Sequence, residues 1–351
     1  MRGCVAACLL WMAWIGWMPA LRAQVPESPH LRVLGPRDGL PTSFVKALDR
    51  DAAGFIWVAT SDGLARYDGS GFRLWRHEPG NPRALPGNMM QAVHVDGRDR
   101  VWTTSEFGGI SMLDGARVGF RHWRRSSHPV MGSDDIFAFA SHADSLWFGT
   151  GDAGLYAMSL RGDPAGWTPE RIEGVPSETI VNLAVDRTGR LWIATLEGLA
   201  VLEKGKVRAM PLPGDTPMPL VYSVLADGPR IWVGTAIGIF RREADGRWLR
   251  LPYADMFERP NAAISLARGR DGALWIGSQR GLWRVANDAA TPYPVLTEPL
   301  YQPGSVQALL AFSRMVEGAG KSMRLVHAGE PMVHTFAQLG LRSKLSAWQA
   351  N

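Results

Sequence analysis

Short apolar runs centred on a tryptophan recur along the middle of this chain. Leu191 to Ala200 reads LWIATLEGLA, and five further stretches repeat its order of apolar residues, polar turn and glycine. The six tryptophans are separated by 45, 45, 45, 40 and 43 residues. A recurrence this regular indicates a repeat architecture, which has to be interpreted before any single residue. The repeated tryptophans are Trp57, Trp102, Trp147, Trp192, Trp232 and Trp275.

Each repeat contains four short segments that predict β-strands. In the repeat that holds Trp192, residues 179–186 carry regularly placed apolar side chains, and turns follow near Gly189 and Gly198. Short apolar runs bounded by Asp and Gly are typical of all-β structure, and four strands in a unit of about 43 residues are typical of a β-propeller blade. The pattern therefore predicts an all-β propeller in which the blade tryptophans pack between neighbouring sheets.

The first repeat, residues 39–69, reads GLPTSFVKALDRDAAGFIWVATSDGLARYDG. It resembles the two-component regulator propeller repeat, which occurs in the periplasmic sensors of hybrid histidine kinases and of some diguanylate cyclases. The later repeats keep the tryptophan and most turn glycines but lose Gly-Leu-Pro, and the resemblance extends over residues 30–285. It implies a sensing module that carries no chemistry of its own.

Six four-stranded blades are recognisable, whereas the resemblance implies seven, closed by an N-terminal strand. Residues 30–35 (HLRVLG) fit that closing strand, and Gly304 to Phe312 begin like a seventh inner strand. Residues 313–325 then contain neither an Asp-x-x-Gly turn nor a tryptophan. We therefore expect an incomplete seventh blade, with the propeller repeats occupying residues 30–303.

Residues 304–351 have a different pattern. Apolar positions after Ser305 suggest a helical face, residues 322–328 could form a strand, and Pro331 to Gly340 reads as a second helix. This short α/β tail resembles the C-terminal half of a STAS domain, which implies phosphorylation of Ser305; the alternatives are a helix N-cap or simple membership of a strand. The simplest interpretation is a truncated receptor that lacks its output domain.

The N-terminal segment predicts export. Arg2 precedes an apolar stretch from Val5 to Met18, and small residues follow near Ala23, so residues 1–23 are typical of a secretory signal peptide. A membrane-spanning helix needs roughly 20 apolar residues; membrane contact is expected only through an uncleaved N-terminal segment. Cys4 and Cys8, the only cysteines of the chain, both lie within this segment and would be removed with it. We expect a periplasmic or secreted protein without disulfides.

Charge and motifs exclude several function classes. The net charge is +5, but the basic residues are not concentrated in a run typical of nucleic-acid binding, so no nucleic-acid partner is expected. The histidines lack metal-ligand spacing and no Gly-x-Ser-x-Gly segment occurs, so we expect no metal, no cofactor and no catalytic residue. The alternative is a propeller enzyme, a lyase or a quinoprotein-like enzyme, acting at the channel mouth. His94, on a predicted inner strand, would then be either catalytic or a packed core residue.

Ligand binding is expected where the loops before the inner strands meet the turns between second and third strands. Loops on a rigid scaffold carry recognition more often than strands do. Polar residues with one acidic group in most repeats suit a small polar or carbohydrate-like ligand, and a signalling protein is the other expected partner. The candidate ligand-binding residues are Thr42, Ser43, Asp62, Asn88, Glu106, Asp134, Asp135, Asp152, Glu178, Glu197, Asn261, Gln279 and Arg280.

Overall fold

The computed structural model describes residues 34–113, 117–214, 220–251, 263–269, 271–278, 281–286 and 289–292. The expected signal peptide (1–23), the expected tail (304–351) and most of the expected closing strand lie outside the described residues. The same holds for three of the candidate site residues, Asn261, Gln279 and Arg280.

Six antiparallel four-stranded sheets follow one another along the described residues, each with its strands in sequential order. Blade 1 comprises β1 (Val45–Arg50), β2 (Ile56–Thr60), β3 (Gly63–Tyr67) and β4 (Phe72–Trp75). Blade 2 comprises β5 (Met90–Val95), β6 (Val101–Ser105), β7 (Ile110–Leu113) and β8 (Phe120–Trp123). Blade 3 comprises β9 (Ile136–His142), β10 (Ser145–Thr150), β11 (Leu155–Ser159) and β12 (Pro169–Ile172).

The second half of the propeller repeats this arrangement. Blade 4 comprises β13 (Ile180–Val185), β14 (Leu191–Thr195), β15 (Gly198–Glu203) and β16 (Lys206–Ala209). Blade 5 comprises β17 (Val221–Asp227), β18 (Arg230–Thr235), β19 (Gly238–Arg242) and β20 (Trp248–Arg250). Blade 6 comprises β21 (Ala263–Arg268), β22 (Leu274–Ser278), β23 (Gly281–Ala286) and β24 (Ala289–Pro292).

The predicted all-β propeller with six blades is confirmed. The first strands of consecutive blades lie beside one another from β1 to β21, so they are the inner strands. Besides strands, the described residues form two 3₁₀ helices, Pro36–Asp38 and Pro164–Gly166, and no α-helix. Within this described part, no helix has the length and hydropathy needed to cross a membrane.

An aspartate in the turn between the first two strands holds the hairpin of most blades. In blade 4, Oδ1 of Asp186 accepts hydrogen bonds from the backbone N–H groups of Thr188 (2.9 Å) and Arg190 (3.2 Å). Its Oδ2 accepts the indole N–H of Trp192 at 2.9 Å. The tryptophan can be fully buried because its single polar group has this partner. The equivalent pairs are Asp51–Trp57, Asp96–Trp102 and Asp227–Trp232.

The core lies between blades rather than within them. Trp57 and Leu64 of blade 1 pack in one cluster with Met90 of blade 2. Likewise, Trp192 of blade 4 packs with Phe240 of blade 5. The facing sides of adjacent sheets therefore bury one another, as the spacing of the tryptophans predicted.

Blade 3 departs from this pattern. Its strand β9 runs directly into a tight turn at Ala143 and Asp144, with no aspartate placed to accept an indole hydrogen. Trp147 is only partly buried, against the cluster that joins blades 3 and 4. The burial of this tryptophan thus differs from that of Trp57 and Trp192, which are 0% exposed.

Candidate functional site

The turns between second and third strands lie against the loops that precede the inner strands. In blade 1 the backbone N–H of Ser61 donates to the carbonyl of Phe44 at 3.1 Å. In blade 2 the N–H of Glu106 donates to the carbonyl of Met89 at 2.8 Å. Both groups of loops therefore meet at one end of the strands. We call this end the mouth: the loops before β1, β5, β9, β13 and β17 together with the turns after β2, β6, β10, β14 and β18.

Hydrogen bonds also join the mouth from blade to blade. Gly63 of blade 1 donates its N–H to the carbonyl of Asn88 at 2.7 Å, and Gly109 of blade 2 donates to that of Asp134 at 3.0 Å. Gly63 has a φ of +111°, and a Cβ atom there would lie 2.5 Å from the carbonyl oxygen of Trp75. Only glycine fits this close approach of two backbones.

Each inner strand carries a β-bulge at its second residue. In blade 1, Val45 pairs with Thr60 and Ala47 with Ala59, which leaves Lys46 as the extra residue. A bulge turns a side chain away from the regular alternation and is often found beside binding sites. The bulge residues of blades 1 to 5, which we call the bulge ring, are Lys46, Gln91, Phe137, Val181 and Tyr222.

The described candidate residues all lie at the mouth, where the strand order predicted them, but they differ in exposure. The half-buried ones are Thr42, Asp62, Asn88, Asp134 and Asp135. The exposed ones are Ser43, Glu106, Asp152, Glu178 and Glu197.

Some of these side chains hold the loops together. Asp62 forms an ion pair with Arg76 at 2.8 Å, and Glu178 forms one with Arg171 at 2.7 Å. Oδ1 of Asn88 accepts the backbone N–H of His77 at 2.7 Å. These contacts connect the mouth to the outer parts of the blades, so they position the loops.

Three carboxylates interact across blades 2 and 3. Burial raises the pKa of Asp135, and the nearby charges of Asp152 and Glu106 raise it further. In the adjacent blade 1, burial lowers the pKa of Lys46, an effect that the charge of Glu106 opposes. Oδ1 of Asp135 is buried and accepts no hydrogen bond from the described residues. This part of the mouth therefore combines negative charge with acceptor capacity that the surrounding chain does not use.

Large apolar side chains are exposed beside these carboxylates. Phe107, at the tip of the turn after β6, is 71% exposed; Met89 is 53% and Phe137 is 39% exposed. Sequence reasoning missed them because it looked for polar residues in the loops. The available signal was a large apolar side chain in a turn, at Phe107, where blades 1, 3 and 4 carry the carboxylates Asp62, Asp152 and Glu197.

A family model described as "Two component regulator propeller" matches residues 174–197. That segment spans the loop before β13, the β13–β14 hairpin and the turn that follows it. The chain carries a two-component regulator propeller repeat. This confirms the resemblance seen in the sequence, and the regulator propeller repeat contains both Asp186 and Trp192. No curated protein matches the chain.

Two extracellular domains of putative signalling systems from B. thetaiotaomicron have the same fold. The domain of the putative one component system BT4673 is 23% identical with a TM-score of 0.59, covering 72% of this chain and 33% of that one. The domain of the putative hybrid two component system BT3049 is 21% identical with a TM-score of 0.60, covering 73% and 35%. This chain therefore spans well under half the length of these structures.

An enzyme also shares the fold. Virginiamycin B lyase from Staphylococcus aureus is 11% identical with a TM-score of 0.55, covering 75% of this chain and 87% of the lyase. At this identity the likeness is one of fold, and a fold by itself does not carry a reaction.

Proposed function

We propose that this chain is a ligand-binding propeller of an extracytoplasmic bacterial signalling receptor, and that it binds its ligand at the mouth without transforming it. The regulator propeller repeat and the likeness to extracellular sensor domains support this proposal. A separate signalling protein or domain is the proposed recipient of the signal.

The bulge ring is the observation that carries the proposal. The residue before each bulge is uniformly apolar: it is Val45, Met90, Ile136, Ile180 and Val221 in blades 1 to 5. The bulge residues themselves differ in every blade, from a lysine to a phenylalanine. A constant backbone that presents a different side chain from each blade is suited to recognising one ligand by its shape and polarity.

The chemistry of the mouth favours a small polar or carbohydrate-like ligand. Phe137 and Tyr222 offer aromatic surface from the bulge ring, and Gln91 offers amide groups. Carboxylates such as Asp135 can accept hydrogen bonds from hydroxyl groups. Apolar faces next to a few acceptors are what a sugar ring, with its apolar faces and hydroxyl edges, requires.

A thermal-shift screen of the full chain against soluble mono- to tetrasaccharides tests the proposal. Ligand that binds the native state raises Tm by mass action. For a sugar that raises Tm, Phe137→Ala and Tyr222→Ala should each weaken the affinity measured by calorimetry about tenfold, equal to about 1.4 kcal/mol. The sugar should be recovered unchanged after incubation.

Leu249 provides a matched control. It is exposed to the same 39% as Phe137 but lies on the outer strand β20. Leu249→Ala should leave the affinity for the sugar unchanged. The proposal fails if no sugar raises Tm, or if the bulge-ring variants and Leu249→Ala bind equally well.

A further inference from the structure

Two polar side chains occupy an inner-strand position that is apolar in the other blades. The residue paired with the blade tryptophan is Asp49 in blade 1 and His94 in blade 2. A small or apolar side chain satisfies packing at this place, and a partly exposed ion pair adds little stability. A polar residue at a position that is otherwise apolar, with no gain in stability, indicates a function. In blades 3 to 6 the equivalent residues are Ala140, Ala184, Leu225 and Ala267.

Asp49, His94 and Ser141 form a continuous row across three inner strands. Oδ2 of Asp49 lies 3.2 Å from Nδ1 of His94, and Nε2 of His94 lies 2.8 Å from Oγ of Ser141. A carboxylate can only accept, so Nδ1 carries the hydrogen and Nε2 is left to accept the hydrogen of the Ser141 hydroxyl. The backbone N–H of Val95 also donates to Oδ2 of Asp49 at 2.7 Å, which holds the carboxylate in place.

The row lies at the end of the strands opposite the mouth. Each of its residues stands two positions before the turn that follows its inner strand. The side chains remain accessible, since His94 is 21% and Asp49 is 33% exposed and Ser141 is half-buried. A small molecule approaching from this end can therefore reach the serine hydroxyl.

We propose that Ser141 is a nucleophile activated by His94 and positioned by Asp49, and that this end of the propeller reacts with small esters or similarly activated acyl compounds. A nucleophile in contact with a base, which a third group orients, is the arrangement that activates serine in unrelated folds. This reaction lies beyond the proposed binding function and uses none of the mouth residues.

The step is an acyl transfer that balances without a cofactor. Oγ of Ser141 forms a bond to the carbonyl carbon while its hydrogen passes to Nε2 of His94. The bond between the carbonyl carbon and the leaving oxygen breaks, and that oxygen takes the hydrogen from His94 to give an alcohol. Water can then attack the acyl-serine, releasing a carboxylic acid and returning the hydrogen to Ser141.

Two other Ser–His contacts in the part of the chain that the structure describes serve as internal controls. Oγ of Ser127 lies 3.0 Å from Nδ1 of His128, and Oγ of Ser111 lies 2.9 Å from Nδ1 of His122. Among the described residues, no carboxylate lies within ion-pair distance of His122 or His128. They reproduce the serine–histidine contact without the orienting acid.

Labelling of the full chain with an alkyl fluorophosphonate tests the proposal. Attack by Oγ forms an O–P bond and breaks the P–F bond, with loss of fluoride and the serine hydrogen. We expect one adduct per chain, located at Ser141 by peptide mass spectrometry and absent from Ser127 and Ser111. His94→Gln should slow labelling by about 100-fold or more, the size of a general-base contribution. Hydrolysis of p-nitrophenyl acetate should fall in parallel.

Asp49→Asn tests the positioning residue. It should slow labelling by less than His94→Gln while leaving Tm close to that of the unmodified chain, and Ser127→Ala should label normally. Free imidazole added to a folded His94→Ala variant should restore part of the labelling, which a purely structural histidine would not allow. No adduct at Ser141, or an adduct that forms equally fast in His94→Gln, would overturn the proposal.

Discussion

Blades 3 and 4 have the same four-stranded topology, but their tryptophans differ in burial and in hydrogen bonding. In blade 4 the indole N–H of Trp192 is accepted by Asp186, and the side chain is 0% exposed. In blade 3 the turn before β10 has no such aspartate, and Trp147 stays partly exposed. Of these two tryptophans, the one whose single polar group has a charged acceptor is the one that is completely buried. The indole and the aspartate are one structural unit.

Truncation of the two tryptophans should give the largest difference between the blades. Trp192→Ala should lower the free energy of unfolding by about 3–5 kcal/mol, as expected for a buried aromatic residue. Trp147→Ala removes less buried surface and should cost about 2 kcal/mol or less. Urea denaturation of both variants measures the difference. Equal losses would mean that the exposure of Trp147 does not reflect its contribution to packing.

The contribution of the aspartate to this unit should appear in the pH dependence of the free energy of unfolding. Burial alone would raise the pKa of Asp186, but hydrogen bonds from Thr188, Trp192 and Arg190 outweigh it and lower the pKa from 3.8 to about 2. Because the folded state has the lower pKa, the stabilisation is present above pH 3.8 and is lost as the pH falls toward 2. It amounts to about 2 kcal/mol.

Asp186→Asn should remove this part of the acid sensitivity and leave the protein about 1–3 kcal/mol less stable at neutral pH, because a buried donor loses its charged acceptor. Denaturation curves between pH 2 and 7 measure both effects. Asp144→Asn, in the corresponding turn of blade 3, changes only surface ion pairs and should cost less than about 1 kcal/mol. A larger loss for Asp144→Asn than for Asp186→Asn would reverse the comparison.

The smallest expected effect concerns the turns themselves. Ala143 in blade 3 has a φ of +50°, whereas Gly189 occupies a left-handed conformation with a φ of +80° in blade 4. Ala143→Gly should stabilise the chain by up to about 1 kcal/mol, and Gly189→Ala should destabilise it by about 1 kcal/mol. Thermal unfolding of both variants measures this pair of opposite shifts. Shifts of the same sign would show that side-chain contacts, rather than backbone strain, dominate these turns.

The sequence predicted the fold because the repeat and the packing have the same cause. A tryptophan that fills the gap between two sheets has to recur once per blade, so Trp57 and Trp192 stand in phase. The strand order then predicted which loops share the mouth. The departure of blade 3 was also readable, since SHADS (residues 141–145) lacks the Asp-x-x-Gly spacing that precedes Trp192.

The bulge ring and the Asp49–His94–Ser141 row could not be predicted in the same way. Every inner strand has its extra residue at the same point, so each repeat is lengthened equally. The spacing between the blade tryptophans therefore does not reveal the bulge. The row joins residues that are 45 and 47 positions apart in the sequence, and only the packing of three blades brings them together. Sequence reasoning therefore treated His94 as an isolated histidine.

The clusters shared between adjacent blades have a consequence for the order in which the protein is made. The apolar cluster around Trp192 is complete only when Val221, Val224 and Phe240 of the next blade are present. A ribosome adds about 5–20 residues per second, so each newly emerged blade keeps an apolar face exposed for several seconds. Assembly then proceeds by addition of one blade to the last, as in other repeat proteins. During synthesis the growing end always presents one uncovered sheet, which is the surface that a chaperone would need to shield.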